Sequence, residues 1–341
     1  SSARCTKRWW RHSTIWREAA VLARLLLGTS LMAAQISLAA AGGAEQQVSA
    51  NGFPATLTVP IGVSDPPMVF FIAGSGPTDR NGNSPLGVEA GYLGKLAHAL
   101  ADGGLGSLRY DKRGVPGGVA VADESTVTFQ TYLDDAKTVL DWLHESSSAR
   151  PVFVLGHSEG GLVALYLAGV RPEVAGVILL ATPGRPPAET LRDQIMQHMT
   201  DPLRRQALDI LARLEAGAVV DDVPASLIAL FRPSVQPFLR SLLALDPAAR
   251  LGASPIPALV IGGGRDLQVG RADFDALSAN ALQGSSLWLP EMNHVLAAVD
   301  TDDRQANLAT YASSDGALAP GLVAAISTFV REFAGTRNGA D

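Results

Sequence analysis

The residues best suited to chemistry lie at 156–160, Gly-His-Ser-Glu-Gly, where a serine stands between two glycines. An apolar run at 152–155 precedes them and a small-residue helical pattern follows, so Ser158 falls on a strand-to-helix turn. Side chains at 156 and 160 would collide with the neighbouring strand and helix, and glycine removes them. The first amides of the new helix face the space beside Ser158. A negative charge developing there meets N–H donors and the positive end of a helix dipole. The five-residue pattern alone is weak, arising by accident in roughly a quarter of chains of this length and composition. Its strand–turn–helix setting, and the partners found downstream, give it weight.

A serine hydroxyl is a poor nucleophile and needs a base, which in turn needs an orienting carboxylate. In a parallel sheet such groups come from loops at the carboxyl ends of strands. Of the six histidines, His12 lies in the basic N-terminal segment, His98, His144 and His198 fall in helical patterns, and His157 belongs to the turn itself. His294 alone follows a terminal strand, which makes it the expected base. Asp266 follows the strand Ala-Leu-Val-Ile-Gly through a run of glycines and is the expected carboxylate, with a helix cap as its alternative role. Glu291 is too close to the base in sequence, and Asp246 reads as a helix cap. The backbone N–H of Glu159 and that of Ser75, in the glycine-rich loop 74–83, are the expected oxyanion donors. Arg80, in the same loop, is a candidate to bind a substrate carboxylate, against the alternative of a loop-bracing or solvent-facing arginine. Asp111 and Arg113 are expected to form a structural ion pair nearby.

The elements that must position these groups alternate along the chain. Residues 48–50 and 53–59, split by Asn51-Gly52, predict a hairpin. Runs at 68–73, 106–110, 152–155, 176–181, 258–262 and 286–289 predict strands, those at 68–73 and 176–181 buried ones. Helical patterns at 91–101, 129–144, 271–282 and 320–333 lie between or after them, which implies βαβ crossovers and a mainly parallel sheet. The alternation lapses at 184–254, where helical segments at 189–199, 202–215, 224–231 and 235–245 predict an insertion over the sheet. The expected core is therefore 44–183 with 255–341.

With Ser158, Asp266 and His294 in that order, the sequence resembles the α/β-hydrolases from residue 47 to the C-terminus. Five blocks, 74–83, 109–114, 156–161, 264–269 and 292–295, resemble the bacterial acyl esterases related to the serine aminopeptidase-like (S33-type) hydrolases. The resemblance implies an α/β-hydrolase fold of about eight mainly parallel strands, with 184–254 as a helical cap. It also implies a metal-independent carboxylesterase acting on small acyl esters through an acyl-enzyme. Peptidase or amidase action, and a non-catalytic binding module of the same fold, remain the alternatives.

The chain has 341 residues, 47% hydrophobic and 18% charged, enough for a substantial core. Residues 1–43 carry six basic residues against Glu18, a net +5, so a total of −6 leaves the remainder at −11. An acidic body argues against nucleic-acid or anionic-membrane partners and leaves a small-molecule ester as the expected one. The basic start, the apolar stretch 21–41 and the small-residue exit read as an export signal, with a membrane anchor as the alternative. A periplasmic or secreted location follows, without stable membrane association once the signal is removed. The lone Cys5 lies inside that segment, so the mature protein is expected to hold no disulfide and no cysteine-ligated metal. Neither a phosphate-binding loop nor a dinucleotide glycine fingerprint is present, and no cofactor is expected.

Overall fold

The computed structural model describes residues 37–38, 43–146 and 150–337. The expected export signal at 1–43 therefore lies almost wholly outside the described residues. Among those residues, no helix is long and apolar enough to cross a membrane.

The chain builds one sheet of nine strands: β1 (Ser37–Leu38), β2 (Gly43–Ala50), β3 (Phe53–Pro60), β4 (Met68–Ile72), β5 (Gly106–Tyr110), β6 (Val152–His157), β7 (Val174–Leu180), β8 (Ala258–Gly263) and β9 (Gly284–Leu289). Their order is β1-β2-β3-β5-β4-β6-β7-β8-β9, antiparallel through the β3–β5 pair and parallel from β5 to β9. The hairpin β2–β3 closes through Asn51 and Gly52, both at positive φ (49° and 94°), as a tight turn between right-twisted strands requires.

Every residue of β4 to β8 is buried, which is why β4, β6, β7 and β8 read as apolar runs rather than alternating ones; β5 carries buried Ser107 and Arg109. Alternate side chains serve opposite faces. Phe70, Val154, Leu179 and Val260 meet α2 (Phe129–Ser146), α3 (Glu159–Ala168) and α9 (Arg271–Ser278). Phe71, Leu155, Ile178 and Ile261 meet α1 (Tyr92–Asp102) and α11 (Leu322–Arg337). A sheet between two helical layers, with this connectivity, is the α/β-hydrolase fold. From β4 the chain steps to one side, to β5, and then returns to the other side, at β6. The loops after β4 and β6 thus diverge from adjacent strands at the carboxyl edge, the place where open α/β sheets bind ligands.

Between β7 and β8 the chain forms α4 (Pro187–His198), α5 (Leu203–Glu215), α6 (Ile228–Phe231), α7 (Gln236–Leu243) and α8 (Pro247–Gly252). The first four share their own apolar cluster, centred on Ile195, Leu211, Phe231 and Leu239. Gln236, buried within it, accepts from the Val220 amide at 2.8 Å and donates to the carbonyls of Val220 and Phe231 at 2.6 and 2.9 Å. The segment expected as a helix at 224–231 shrinks to one turn. Helix α8, which the sequence pattern did not reveal, starts at the Asp246 cap and packs on the sheet side: Leu251 joins the α2–α3 cluster and the Arg250 guanidinium lies over Tyr166. The short α10 (Arg304–Ala309), capped by Asp303, was likewise not expected. Six-residue helices hold too few turns to show a period.

If α8 belongs to the main core, Leu251→Ala lowers global stability by about 2–5 kcal/mol, as for other buried leucines. Urea unfolding followed by far-ultraviolet circular dichroism, which reads the inserted helices as well as the core, should show one shifted transition. A separate early transition of the inserted helices would assign α8 to the cap instead.

Candidate active site

The turn between β6 and α3 holds Ser158 at φ 54°, ψ −126°, a conformation that costs a non-glycine residue on the order of 1–3 kcal/mol. Its own amide donates to the Leu180 carbonyl at 2.9 Å and its carbonyl accepts from the Gly161 amide at 2.9 Å, which bolts the strained residue to β7 and α3. A Cβ at 156 would collide with the Gly160 carbonyl, and one at 160 with the carbonyls of Ile72 and Ala73. The glycines let α3 begin directly against β4 and β6.

Asp266 follows β8 and His294 follows β9, as the strand-end argument requires. The His294 Nδ1–H donates to Asp266 Oδ2 at 2.8 Å. The other carboxylate oxygen accepts from the amides of Gln268 and Val269 at 2.7 and 2.9 Å. The Asp266 side chain is fully buried and that of His294 is 7% exposed, so little water competes for their bond. Asp266 does not cap the next helix, whose cap is Gly270, whereas Asp246 does cap α8. Buried Asn293 braces the His294 loop: its amide donates to Asn307 Oδ1 and Thr310 Oγ1 at 3.0 and 2.7 Å, and its oxygen accepts from the Ala297 amide at 3.0 Å. Asn307 in turn donates to the Arg265 carbonyl at 2.7 Å, tying the loop of His294 to that of Asp266.

A cavity of about 850 Å³ opens over this edge. Ser158, Glu159 and Ser75 line its floor, and Leu191, Phe238 and Leu239 of the inserted helices its roof. The loop of Ser75 is pinned by Thr78, whose hydroxyl donates to the Ser75 carbonyl at 2.8 Å. Of the two readings of Arg80 the structure shows the loop-bracing one, and the expected partner of Asp111 changes. Arg80 is not turned to the cavity: it holds Asp111 with Nε and Nη2 at 3.0 and 2.6 Å, and Nη1 reaches Gln47 at 2.8 Å. Asp111 is therefore taken by Arg80, and Arg113 pairs instead with Asp135 of α2, through Nε and Nη2 at 2.7 and 2.5 Å. The reading that joined Asp111 to Arg113 followed nearness in sequence, and the loop turns the two side chains to different elements. Arg232 and Ser234 of the insertion both bind Glu124, which strap the roof to the core. Among the described residues, no group of three or more His, Cys, Asp and Glu side chains comes together to hold a metal ion.

Sequence reasoning passed over His157. Its Nε2 lies 2.7 Å from the His294 carbonyl, which can only accept, so Nε2 carries the proton and Nδ1 accepts from the Tyr92 hydroxyl at 3.1 Å. The imidazole thus holds the backbone of the residue that carries the second imidazole. Only its position beside Ser158 could have signalled this. Burial, with a smaller contribution from His294, pushes its pKa down from 6.5 to about 3. Between those values the unfolded chain binds a proton that the fold refuses, so this stability is complete above about pH 6.5 and is lost as pH falls toward 3. His157→Gln keeps an N–H donor but does not titrate. Its urea-unfolding free energy should fall with acidification less steeply than that of the wild type, by about one proton between pH 6 and 4. Parallel curves would show that His157 takes up its proton alike in the folded and the unfolded chain.

Residues 86–298 match the family model described as serine aminopeptidase, S33, a span that includes Ser158, Asp266 and His294. Esterase EstD of Thermotoga maritima is 30% identical over 253 residues, covering 73% of this chain and 56% of that protein. The pimeloyl-[acyl-carrier protein] methyl ester esterase of Stenotrophomonas maltophilia is 26% identical over 170 residues, covering 44% of this chain and 64% of that protein. The chain thus spans less than two thirds of the length of either relative. Among solved structures, Est1E of Butyrivibrio proteoclasticus with bound ferulic acid superposes with a TM-score of 0.55 at 16% identity, covering 84% of this chain and 96% of that one. Proline iminopeptidase of Mycobacterium smegmatis gives 0.52 at 14% identity, covering 86% and 99%. These two likenesses carry the fold alone. With more than half of its residues matched by the model, the chain belongs to the serine aminopeptidase, S33, family of α/β-hydrolases.

Proposed function

We propose that the chain is a serine hydrolase that cleaves carboxylic esters through an acyl-enzyme. The observation that carries the reading is the closed His294–Asp266 bond at the edge where the strained Ser158 faces the cavity. In the proposed cycle Ser158 Oγ attacks the ester carbonyl carbon while His294 Nε2 takes the hydroxyl proton. Asp266, held by two amides and by Nδ1, fixes the tautomer that leaves Nε2 free to accept and stabilises the imidazolium that results. The amides of Glu159 and Ser75 receive the oxyanion, and loss of one such donor costs about 3 kcal/mol of transition-state stabilisation. His294 then returns the proton to the leaving alcohol. Water repeats the sequence on the acyl-enzyme and releases the acid.

The cavity favours esters over aminoacyl substrates. A free α-ammonium wants an unpaired carboxylate, and the acidic lining residues are Glu124 and Glu159. Glu124 is bound by Arg232 and Ser234, and Glu159 by Lys112. The 30% identity to an esterase supports the same preference. The basic, then apolar, segment at 1–43 supports an exported enzyme.

A fluorophosphonate should label the wild type and not Ser158→Ala, and the wild type should hydrolyse p-nitrophenyl acyl esters well ahead of aminoacyl anilides. Equal labelling of Ser158→Ala removes the proposed nucleophile, and a preference for the anilides replaces the esterase with an amidase. Asp266→Asn should keep the fold by circular dichroism while lowering kcat on the order of 10⁴-fold, because the amide favours the wrong tautomer of His294. A kcat within tenfold of wild type would take Asp266 out of the mechanism.

A further inference from the structure

Lys112 is the one cation of the 109–114 block that the proposed cycle does not use and that lies beneath its centre. It is 1% exposed. Its Nζ donates to the Gly74 carbonyl at 2.8 Å and to Glu159 Oε1 at 3.1 Å, and stands 4.5 Å from the centroid of the Tyr132 ring. A buried ammonium is expensive unless its protons are met, and here a carbonyl, a carboxylate and an aromatic face meet them.

The identity of those partners is informative. The Gly74 carbonyl belongs to the same peptide group as the Ser75 N–H. That peptide is trans, since the cis bond in the described chain is Asp201–Pro202. In a trans peptide the C=O and N–H point in opposite directions, so an ammonium on the carbonyl turns the Ser75 N–H away from itself, and Ser75 lies on the cavity floor. The ammonium also draws electron density toward the carbonyl oxygen, which makes the N–H a stronger donor. Glu159, the other partner, carries the second amide on its own backbone. One buried cation is therefore fastened to the peptide group that carries the Ser75 N–H and to the side chain of Glu159, the two proposed oxyanion donors. Each end of the pair also meets the other's demand: the carboxylate neutralises a charge that the apolar surroundings would otherwise reject.

We propose that Lys112 is a positioning residue for the oxyanion hole, aligning and polarising the Ser75 amide through the Gly74 carbonyl and anchoring the Glu159 turn. The inference rests on the hydrolase reading above and adds a residue to it. The interaction matters only when the carbonyl oxygen becomes an anion, so it acts on the transition state rather than on substrate binding.

The test compares wild type, Lys112→Met, Lys112→Arg and the double variant Lys112→Met with Glu159→Gln, which removes the pair as a unit and leaves no unpaired buried charge. The readouts are kcat and KM on a p-nitrophenyl ester, the inhibition constant of phenylboronic acid, and melting temperature. Phenylboronic acid accepts Ser158 Oγ at boron and becomes a tetrahedral anion. Lys112→Met and the double variant, corrected for folded fraction, should lose about 10–100-fold in kcat with KM changed less than threefold, and boronate affinity should fall by the same factor as kcat. Lys112→Arg, which keeps the charge, should recover part of both. Folded variants with unchanged kcat and boronate affinity overturn the proposal. So does a loss accounted for by folded fraction alone, or a failure of both methionine variants to fold, since each assigns the pair a purely structural role. Wild type that neither turns over the ester nor binds the boronate overturns the hydrolase reading, and this proposal with it. An active wild type with indifferent Lys112 variants overturns this proposal alone.

Discussion

The site depends on how closely α3 can start against the sheet. Ser158 stands at φ 54° because the chain passes from β6 into α3 without an intervening loop. It can do so because Gly160 lies against the carbonyls of Ile72 and Ala73, the last residues before the loop after β4. That contact has two consequences. It brings the start of α3 beside the loop after β4, and it sets Ser158 at the same carboxyl edge that the loops of Asp266 and His294 leave. The strain is sustained by the hydrogen bonds of Ser158 to Leu180 and Gly161 and by the fully buried strands on either side. A conformation costing a few kcal/mol survives because the surroundings leave the residue no alternative.

Around the elbow, the block 109–114 acts as an electrostatic frame. Its side chains leave one short stretch for four different elements. Arg109, 1% exposed, pairs with Glu45 of β2 and reaches Asn81. Asp111 takes Arg80, Lys112 takes Gly74 and Glu159, and Arg113 takes Asp135 of α2. Such pairs add little net stability, because desolvation offsets much of the attraction, but losing one partner costs about 3–5 kcal/mol. Their effect is specificity: each charge fixes which loop lies where along the rim. The sharp turns of loop 74–83, free to wander on glycine content alone, are held by Arg80 at one end and Lys112 at the other.

This explains which parts of the molecule were legible in the sequence. Strands buried on both faces are mostly apolar, so β4, β6, β7 and β8 were readable; β5, with buried Ser107 and Arg109, was readable from its place in the alternation, and the turn at Asn51-Gly52 announced its hairpin by backbone chemistry. Asp266 and His294 were singled out because each follows a strand at the carboxyl edge, and the structure brings these two within 2.8 Å of each other. Side-chain pairing was not. Arg80, Asp111 and Arg113 lie within a few residues of one another or of the site, and the sequence cannot say which way each will turn. His157 was hidden for a different reason. A histidine beside the nucleophile looks incidental until Tyr92, some 65 positions earlier, and the carbonyl of His294 are seen to bracket its ring.

The division of labour between sheet and insertion follows from the same physics. The groups proposed for the chemistry are fixed by buried hydrogen bonds to the main core, where a small displacement would be felt by several neighbours at once. The roof of the cavity is held differently. Its helices share a separate apolar cluster and meet the core at a few points: Arg232 and Ser234 on Glu124, Arg185 and Thr190 on buried Asp273, Ser241 on the Phe129 amide, and Phe238 against Tyr132. The Glu124 contact is half-exposed and the Asp273 contact buried, so the roof is held more firmly on the side of α9 than on the side of Glu124. The roof's own apolar cluster is separate from the frame of Arg80, Lys112 and Arg113 below. The boundary between core and roof falls at α8, whose Leu251 belongs to the core although its chain position belongs to the insertion.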